Sequence, residues 1–233
     1  MESSQQPDRI RVRRKPQQDR SVQRVEHILR AAETLIERHG VAGLKMTEIA
    51  REAGIPIGSL YQYFPERVAI VKALFDRVAA HLQAGISGRF HDVASVDDVR
   101  HRVFAAMDWH YQQLRDHPAL FAIWVGTETD PELMRLNIAD SRRMGDLFLD
   151  SIRHLLPADG SDAETRAFLF SHLTGSVVRL AVMADEATAH KLLDQWKAVV
   201  GASLVRDLSP ATEELTSPAA SVPPAGAASA EMP

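Results

Sequence analysis

The chain has 233 residues, of which 45% are hydrophobic and 25% are charged, a balance typical of globular proteins that bury a core. The absence of cysteine excludes disulfides, thiolate metal sites and cysteine nucleophiles. No apolar run reaches the roughly 18 residues of a membrane-spanning helix, and the Arg-rich N-terminus differs from a secretory signal. We therefore expect a cytoplasmic protein that does not associate with membranes.

The net charge of −4 is unevenly distributed along the chain. Residues 1–67 contain 12 Lys and Arg against 9 Asp and Glu, whereas residues 68–233 contain 15 against 22. A basic first part joined to an acidic remainder indicates that the first part meets a polyanion such as nucleic acid.

Both ends of the chain have compositions that bury too little apolar surface to fold alone. Residues 1–21 form a basic arm, and residues 209–233 are rich in Pro, Ala and Ser. We expect both segments to be disordered, which leaves a folded region over 22–208. The basic residues of the arm are Arg9, Arg11, Arg13, Arg14, Lys15 and Arg20.

The folded region contains no Asn-Gly or Asp-Gly hairpin turn and no sustained alternation of β-branched residues, so we predict an all-α fold. Apolar spacings of three and four predict a first helix over 22–38. Thr47 is expected to cap a short second helix, and a third short helix is predicted over 57–63. Pro65 is expected to open a fourth helix.

Five further helices are predicted from their start signals. Ser95 caps a helix to 116, Pro118 starts one through about 127, and Asp130 followed by proline begins a long helix to 156. Ser161 caps a helix to about 184, and Asp185 caps the last, over 185–207. The total is nine helices, and the absence of an internal repeat argues against a solenoid.

Residues 47–64 have the layout of a helix-turn-helix, in which two short helices join through a Gly-containing turn and a preceding helix braces them. Gly54 suits the turn because glycine readily adopts left-handed backbone angles. Tyr61, Gln62 and Tyr63 are large, polar-tipped side chains on a helix with little apolar surface. This favours a DNA-reading helix over an ordinary pair of core helices.

The segment TEIAREAGIPIGSLYQYFPER resembles the DNA-binding region of the TetR family of bacterial repressors, and the similarity extends over about residues 22–80. Pro56 departs from the family, which commonly has serine or another small polar residue there. The resemblance implies a helix-turn-helix DNA-binding domain over 22–67 and a helical ligand-binding and dimerisation domain over 68–208. The matching residues are Thr47, Ile49, Ala50, Ala53, Gly54, Ile55, Gly58, Leu60, Tyr61, Tyr63, Phe64 and Arg67.

The resemblance also implies which residues contact DNA. Phosphates would be held by Thr47, Tyr61, Tyr63 and Arg67, and bases would be read by Ile57, Ser59 and Gln62. Gly58 leaves room for the DNA backbone to approach. Two alternatives stay open: Tyr61 packs on the first helix, and Lys45 is a solvated charge near the phosphates rather than a direct contact.

The residue pattern in the second half of the chain predicts a small-molecule pocket, because polar residues interrupt otherwise apolar helix faces. The alternatives are that Asp140 pairs with Arg142 or Arg143 at the surface, that His110 is a core histidine, and that the aromatic residues are plain core. The predicted pocket residues are Met107, His110, Phe121, Trp124, Asn137, Asp140, Ser141, Met144, Phe148, Phe168 and His172.

Helix 161–184 is apolar nearly all round, so it must be covered on several sides. Together with helix 185–207 it fits the four-helix interface of a homodimer, which the family resemblance also implies. His172 and Arg179 lie on its less apolar side and face either the pocket or the partner copy. A two-fold dimer would read a palindromic operator in double-stranded DNA.

No catalytic or nucleotide-binding motif is present, so we expect neither an enzyme nor a cofactor or metal. The sequence favours a DNA-binding repressor that an unidentified small-molecule effector releases from its operator. The alternative is a ligand-independent DNA-binding protein with an architectural or partner-regulated role.

The basic arm either contacts phosphates or an adjacent minor groove, or it is a solubilising tail. Deleting residues 1–20 should lower the affinity for duplex DNA and flatten its salt dependence, because fewer counterions are released on binding. Titrations at several salt concentrations test this, and an unchanged salt slope would contradict it.

Overall fold

The computed structural model describes residues 15–156 and 162–208, and these residues form nine α-helices and no strand, which confirms the all-α prediction. Short 3-10 turns follow the sixth and seventh helices, over Thr127–Thr129 and Arg153–Leu155. The helices are α1 Lys15–His39, α2 Met46–Glu52, α3 Ile57–Tyr63, α4 Arg67–Ser87, α5 Val96–Asp116, α6 Pro118–Gly126, α7 Pro131–Ile152, α8 Ala163–Met183 and α9 Glu186–Leu208.

Helix α1 begins earlier than expected. The predicted disordered arm over 1–21 is wrong for residues 15–21, which are the first turns of α1. Lys, Gln and Arg are good helix formers, Pro16 is tolerated in a first turn, and a helix anchored by packing downstream extends at little cost. Residues 1–14 and the predicted tail over 209–233 lie outside the described residues. A deletion that leaves α1 intact therefore ends at residue 14.

Three predicted helix caps are confirmed by hydrogen bonds to backbone N–H groups. The Ser95 hydroxyl accepts from Asp98 at 3.2 Å, and the Asp130 carboxylate accepts from Glu132 at 2.8 Å. The Asp185 carboxylate accepts from Thr188 at 3.0 Å. These caps start α5, α7 and α9 because each satisfies a donor that has no partner within its helix.

Two predicted helix starts are wrong. Thr47 is not the cap of α2, because Lys45 is the residue with extended backbone angles and the helix begins at Met46. Pro65 does not open α4, which begins at Arg67 after Glu66. A proline disfavours helical angles in the residue before it, so Pro65 ends α3 and remains in the link to α4. Ser161 lies outside the described residues, and Asp162 occupies the cap position of α8.

Helix α1 is the centre of the first apolar core. Ile28, Ala32 and Ile36 are fully buried along one face, and α1 packs against α2, α4 and α6. The same core includes Leu60 of α3 and Trp124 of α6. The helix-turn-helix therefore shares one core with α4, α6 and the start of α7.

Helices α5, α7, α8 and α9 pack into the rest of the bundle, with α8 lying between α7 and α9. Helix α7 approaches α8 closely at Gly145, where an added Cβ would lie 2.9 Å from backbone atoms of Ala167 and Phe168. Among the described helices, none has the length and apolar character needed to cross a bilayer.

Gly145→Ala should destabilise the protein by about 1–3 kcal/mol, because backbone atoms of α8 must move to admit the methyl group. Gly175→Ala is the matched control, since its Cβ would meet only side-chain atoms of Trp124 and Arg179 at 3.7 Å. The control should gain up to about 1 kcal/mol from helix propensity. Urea unfolding of both variants measures the difference, and equal stabilities would contradict the close packing of α7 and α8.

Candidate DNA interface and ligand cavity

The turn between α2 and α3 ends α2 with a defined backbone hydrogen-bond pattern. The N–H of Ile55 donates to the carbonyl of Ala50 at 3.0 Å, and the N–H of Gly54 donates to that of Arg51 at 3.1 Å. Gly54 has a φ of +60°, which side-chain-bearing residues rarely adopt. This is a Schellman motif, and its buried Ile55 fixes the start of α3 against the core.

Helix α3 has one buried side and one exposed side. Leu60 is fully buried and anchors the helix, whereas Ile57 is 40% exposed and Tyr61 is 50% exposed. Gly58 and Gln62 are also exposed, and Ser59 is half-buried. Residues 57, 58, 61 and 62 therefore form one continuous exposed face at the helical spacing of one and four. We call these four residues the α3 face.

The first turn of α2 is also accessible to solvent. Thr47 is exposed in the second position of α2, where its N–H has no partner within the helix. The ammonium group of Lys45 lies 3.8 Å from the carboxylate of Glu48, and 71% of the lysine side chain is exposed. An exposed pair of this kind stabilises little, so Lys45 is free to meet an anion.

Two predicted DNA contacts have partners within the protein. Tyr63 is half-buried and packs against the core that contains α1. The Arg67 guanidinium donates to the backbone carbonyls of Val41 at 3.1 Å and Ala42 at 3.4 Å. Arg67 thus links the first turn of α4 to the loop after α1, a role that its position in the sequence motif did not indicate.

A partly open cavity of about 510 Å³ lies between α4, α5, α6, α7, α8 and α9. This volume lies in the range that holds drug-sized ligands. The predicted pocket residues that line it are Met107, His110, Trp124, Asp140, Ser141, Met144 and Phe148.

Four predicted pocket residues do not line the cavity. Phe121 packs beside the core formed by α5, α8 and α9, and Asn137 is buried away from the cavity wall. The ring of Phe168 lies under the guanidinium of Arg142 at 4.5 Å. His172 lies behind the lining, where its Nδ1 is 3.1 Å from the Ser141 hydroxyl. Helical spacing alone did not reveal how far each helix is rotated about its axis.

Sequence reasoning also missed part of the cavity lining. These residues are ordinary apolar and small positions of α4, α8 and α9, together with the loop before α5. No signal in the sequence separates them from core residues, because each fits a buried helix face equally well. The main ones are Leu82, Ile86, Phe90, Phe170, Thr174, Val200 and Leu204.

Within residues 15–156 and 162–208, three buried polar groups on residues that line the cavity have no hydrogen-bond partner. They are the Oδ1 atom of Asp140, the Nε2 atom of His110 and the indole Nε1 of Trp124. Burial raises the pKa of Asp140, with nearby Asp76 adding to the effect and Arg143 opposing it. An unpaired buried polar group costs about 1–3 kcal/mol, so a ligand that supplied the missing partners would recover this free energy.

Arg179 is paired and lies behind the cavity. Its guanidinium contacts the Glu128 carboxylate at 2.7 Å and the Ser176 hydroxyl at 3.1 Å. Burial lowers the pKa of Arg179, and the Glu128 carboxylate opposes that shift. Because Glu128 compensates its charge, Arg179 is tied to the 3-10 turn after α6 rather than available to an anion.

Comparison with known proteins agrees with this arrangement. Residues 28–74 match the family of bacterial regulatory proteins named for tetR, and residues 97–208 match the tetracyclin repressor-like C-terminal domain. An uncharacterised HTH-type transcriptional regulator of Mycobacterium tuberculosis is 31% identical over 142 residues, which is 61% of this chain and 68% of the relative. The chain belongs to the TetR family. It is a DNA-binding transcriptional regulator of the TetR type.

Further matches are more distant, and two of them are solved structures with a similar fold. The regulator BetI of Stenotrophomonas maltophilia is 23% identical over 172 residues, 72% of this chain and 86% of BetI. A TetR-family regulator of Streptomyces coelicolor has a TM-score of 0.62 at 19% identity, over 79% of this chain and 99% of its own. SmeT, the repressor of the Stenotrophomonas maltophilia multidrug efflux pump SmeDEF, has a TM-score of 0.57 at 20% identity. The match covers 78% of this chain and 88% of SmeT.

The buried His110 of this TetR-family chain should make its stability fall as the pH is lowered. Burial, with a smaller contribution from the positive charge of Arg179, lowers the pKa of His110 to about 4. The unfolded chain binds a proton near pH 6.5, so between about pH 6.5 and pH 4 protons favour the unfolded state.

Between pH 7 and pH 5 the free energy of unfolding should therefore fall by about 2 kcal/mol less in His110→Gln than in the wild type. Urea unfolding of the wild type and the variant at both pH values measures it. Any pH-independent cost of the substitution cancels in the comparison. A difference between the two proteins that does not change with pH would contradict a neutral, buried His110.

Proposed function

We propose that this regulator is a homodimeric repressor that binds a palindromic operator through α3 and is released by a small molecule in the cavity. The α3 face carries the proposal, because four accessible positions on a short, firmly anchored helix suit insertion into a major groove. The buried Leu60 anchors this seven-residue helix while Ile57 stays accessible.

The residues of the α3 face have separate expected roles. The Gln62 amide can make a bidentate contact to adenine, and the Ile57 side chain can meet a thymine methyl group. Ser59 is less accessible and is proposed to read a base at the start of the helix. Gly58 lets the backbone approach. Together these residues would supply sequence discrimination.

Phosphate contacts would set the register of α3 on the duplex. Lys45, Thr47 and Tyr61 are accessible and suit this role. For Tyr63 and Arg67 we propose a more limited part, because their packing and hydrogen bonds hold the helix-turn-helix together. Either residue would reach a phosphate only with the atoms that those contacts leave free.

A homodimer through α8 and α9 would cover apolar side chains that the single chain leaves exposed. Leu169, Leu173, Leu180 and Met183 lie along one side of α8, and Met183 is 73% exposed. Val199 of α9 is also exposed. Burial of apolar area at about 25 cal/mol per Å² favours association of such faces.

We propose that the DNA-binding domain, over 22–67, and the ligand-binding and dimerisation domain, over 68–208, communicate through α4 and α6. Arg67 of α4 holds the loop at Val41, and an added Cβ on Gly126 of α6 would lie 2.2 Å from the Val41 side chain. Both helices also contribute to the cavity. A ligand that prefers another arrangement of α4 and α6 would reduce the DNA-competent population.

A repressor role is supported by the relative with a known target. SmeT is a repressor, and it also has a structure in complex with triclosan, whose TM-score to this chain is 0.58 at 21% identity. The alternative is a ligand-independent regulator, in which the cavity stays empty and a protein partner controls DNA binding. Addition of effectors to the DNA complex separates the two.

The test is fluorescence anisotropy with the DNA that lies upstream of the protein's own gene, against random competitor duplex. Gln62→Ala should weaken binding to the specific site about tenfold, within the 1–3 kcal/mol of a bidentate base contact. Its affinity for random duplex should stay the same, since phosphate contacts are retained. Gln112→Ala, an exposed glutamine on α5, is the control and should change neither.

Wild-type protein that prefers no duplex over random DNA would overturn the proposal. So would Gln62→Ala and Tyr61→Ala variants that both bind the upstream DNA as tightly as the wild type.

A further inference from the structure

The charged side chains in the cavity lining are aspartates. Asp92, Asp140 and Asp150 line it, whereas no lysine or arginine does so among the residues that the structure describes. Arg179, which lies close behind the wall at Gly175, is paired with the Glu128 carboxylate at 2.7 Å. A ligand with a carboxylate or phosphate would therefore enter without a cationic partner, which carries a large desolvation cost.

Asp140 differs from the other two carboxylates. Asp92 and Asp150 are exposed, and Asp150 pairs with Arg153 at 2.7 Å. Asp140 is only 8% exposed, and its Oδ1 atom has no hydrogen-bond partner in the part of the chain that the structure describes. A carboxylate oxygen accepts hydrogen bonds and attracts positive charge, so the partner that Asp140 lacks is a donor, most favourably a cationic one.

The rest of the lining suits an apolar molecule that carries such a donor. Phe90, Met107 and Phe148 supply hydrocarbon surface, and the Trp124 ring offers a π-face to a cation. His110 is uncharged at neutral pH, because burial lowers its pKa to about 4, so it does not repel a positive ligand. Apolar walls with one buried carboxylate select for charge and for hydrophobicity at once.

We propose that the cavity binds apolar amines, with the ammonium group donating to Asp140 and the hydrocarbon part packed among Phe90, Met107 and Phe148. The role of such an amine as the effector rests on the proposed function. Binding of the amine in the cavity is independent of that function.

Three probes with the same ten-carbon chain test the head group: decylamine, decanol and decanoate. Isothermal titration calorimetry with the full chain at neutral pH should show decylamine binding at least tenfold more tightly than decanol, and decanoate binding most weakly. Decanoate that binds as tightly as decylamine, or decylamine that does not bind, would overturn the inference. This comparison uses only the wild-type protein and so does not depend on any variant folding.

The contribution of Asp140 is tested with Asp140→Asn, which keeps the shape and removes the charge. Decylamine should lose at least tenfold in affinity while decanol keeps its affinity, which also shows that the cavity is intact. Asp146→Asn, at an exposed aspartate of the same helix that is not part of the cavity lining, is the matched control and should change the affinity for each probe less than twofold. An unchanged preference for decylamine in Asp140→Asn would overturn the assignment to this residue.

Adding decylamine to the complex with the upstream DNA separates the two proposals. Binding through Asp140 without loss of DNA affinity supports the amine site and contradicts release by this ligand. Release of DNA by another small molecule, with no decylamine binding, supports the proposed function and contradicts the amine site.

Discussion

The buried face of α1 is the contact on which the rest of the structure depends. Ile28, Ala32 and Ile36 lie fully inside the core, and the same helix packs against α2, α4 and α6. One helix thus holds the helix-turn-helix and two helices of the cavity wall. Since interiors pack as densely as crystals, neither side can move without repacking α1. The ion pair between Arg77 of α4 and Glu26 of α1 adds little, because both side chains are partly exposed.

The cavity and the α3 face are both places where packing is incomplete, but for different reasons. Helix α3 is short and is anchored by the buried Leu60 and the half-buried Tyr63, so its opposite side stays open to solvent. The cavity lies between longer helices. Four of the five buried side-chain polar atoms without a partner, among the described residues, belong to α5, α6 and α7: those of His110, Trp124, Asn137 and Asp140. These unpaired polar atoms lower the stability of the fold in one region, which is typical of a binding site.

Much of the helical framework and of the DNA-reading segment was predictable from local sequence signals. Ser95, Asp130 and Asp185 start helices through hydrogen bonds to residues two or three positions away, and Gly54 marks a left-handed turn. The extension of α1 to Lys15 was missed, because polar residues give no burial pattern. The fold class and the TetR resemblance thus follow from interactions within a few residues of each other.

The tertiary structure decided which residues line the cavity and which connect one helix to another. Apolar spacing indicates that a helix is buried but not its rotation against its neighbours, so Asn137 and Phe168 were misplaced while Phe170 and Val200 were overlooked. Arg67 matches a family motif, yet its contact with Val41 joins residues 26 positions apart, which no local pattern encodes. The sequence alone determined the helices and the α3 segment. Their mutual packing determined the cavity and the isolation of Asp140, because both depend on several helices meeting at fixed angles.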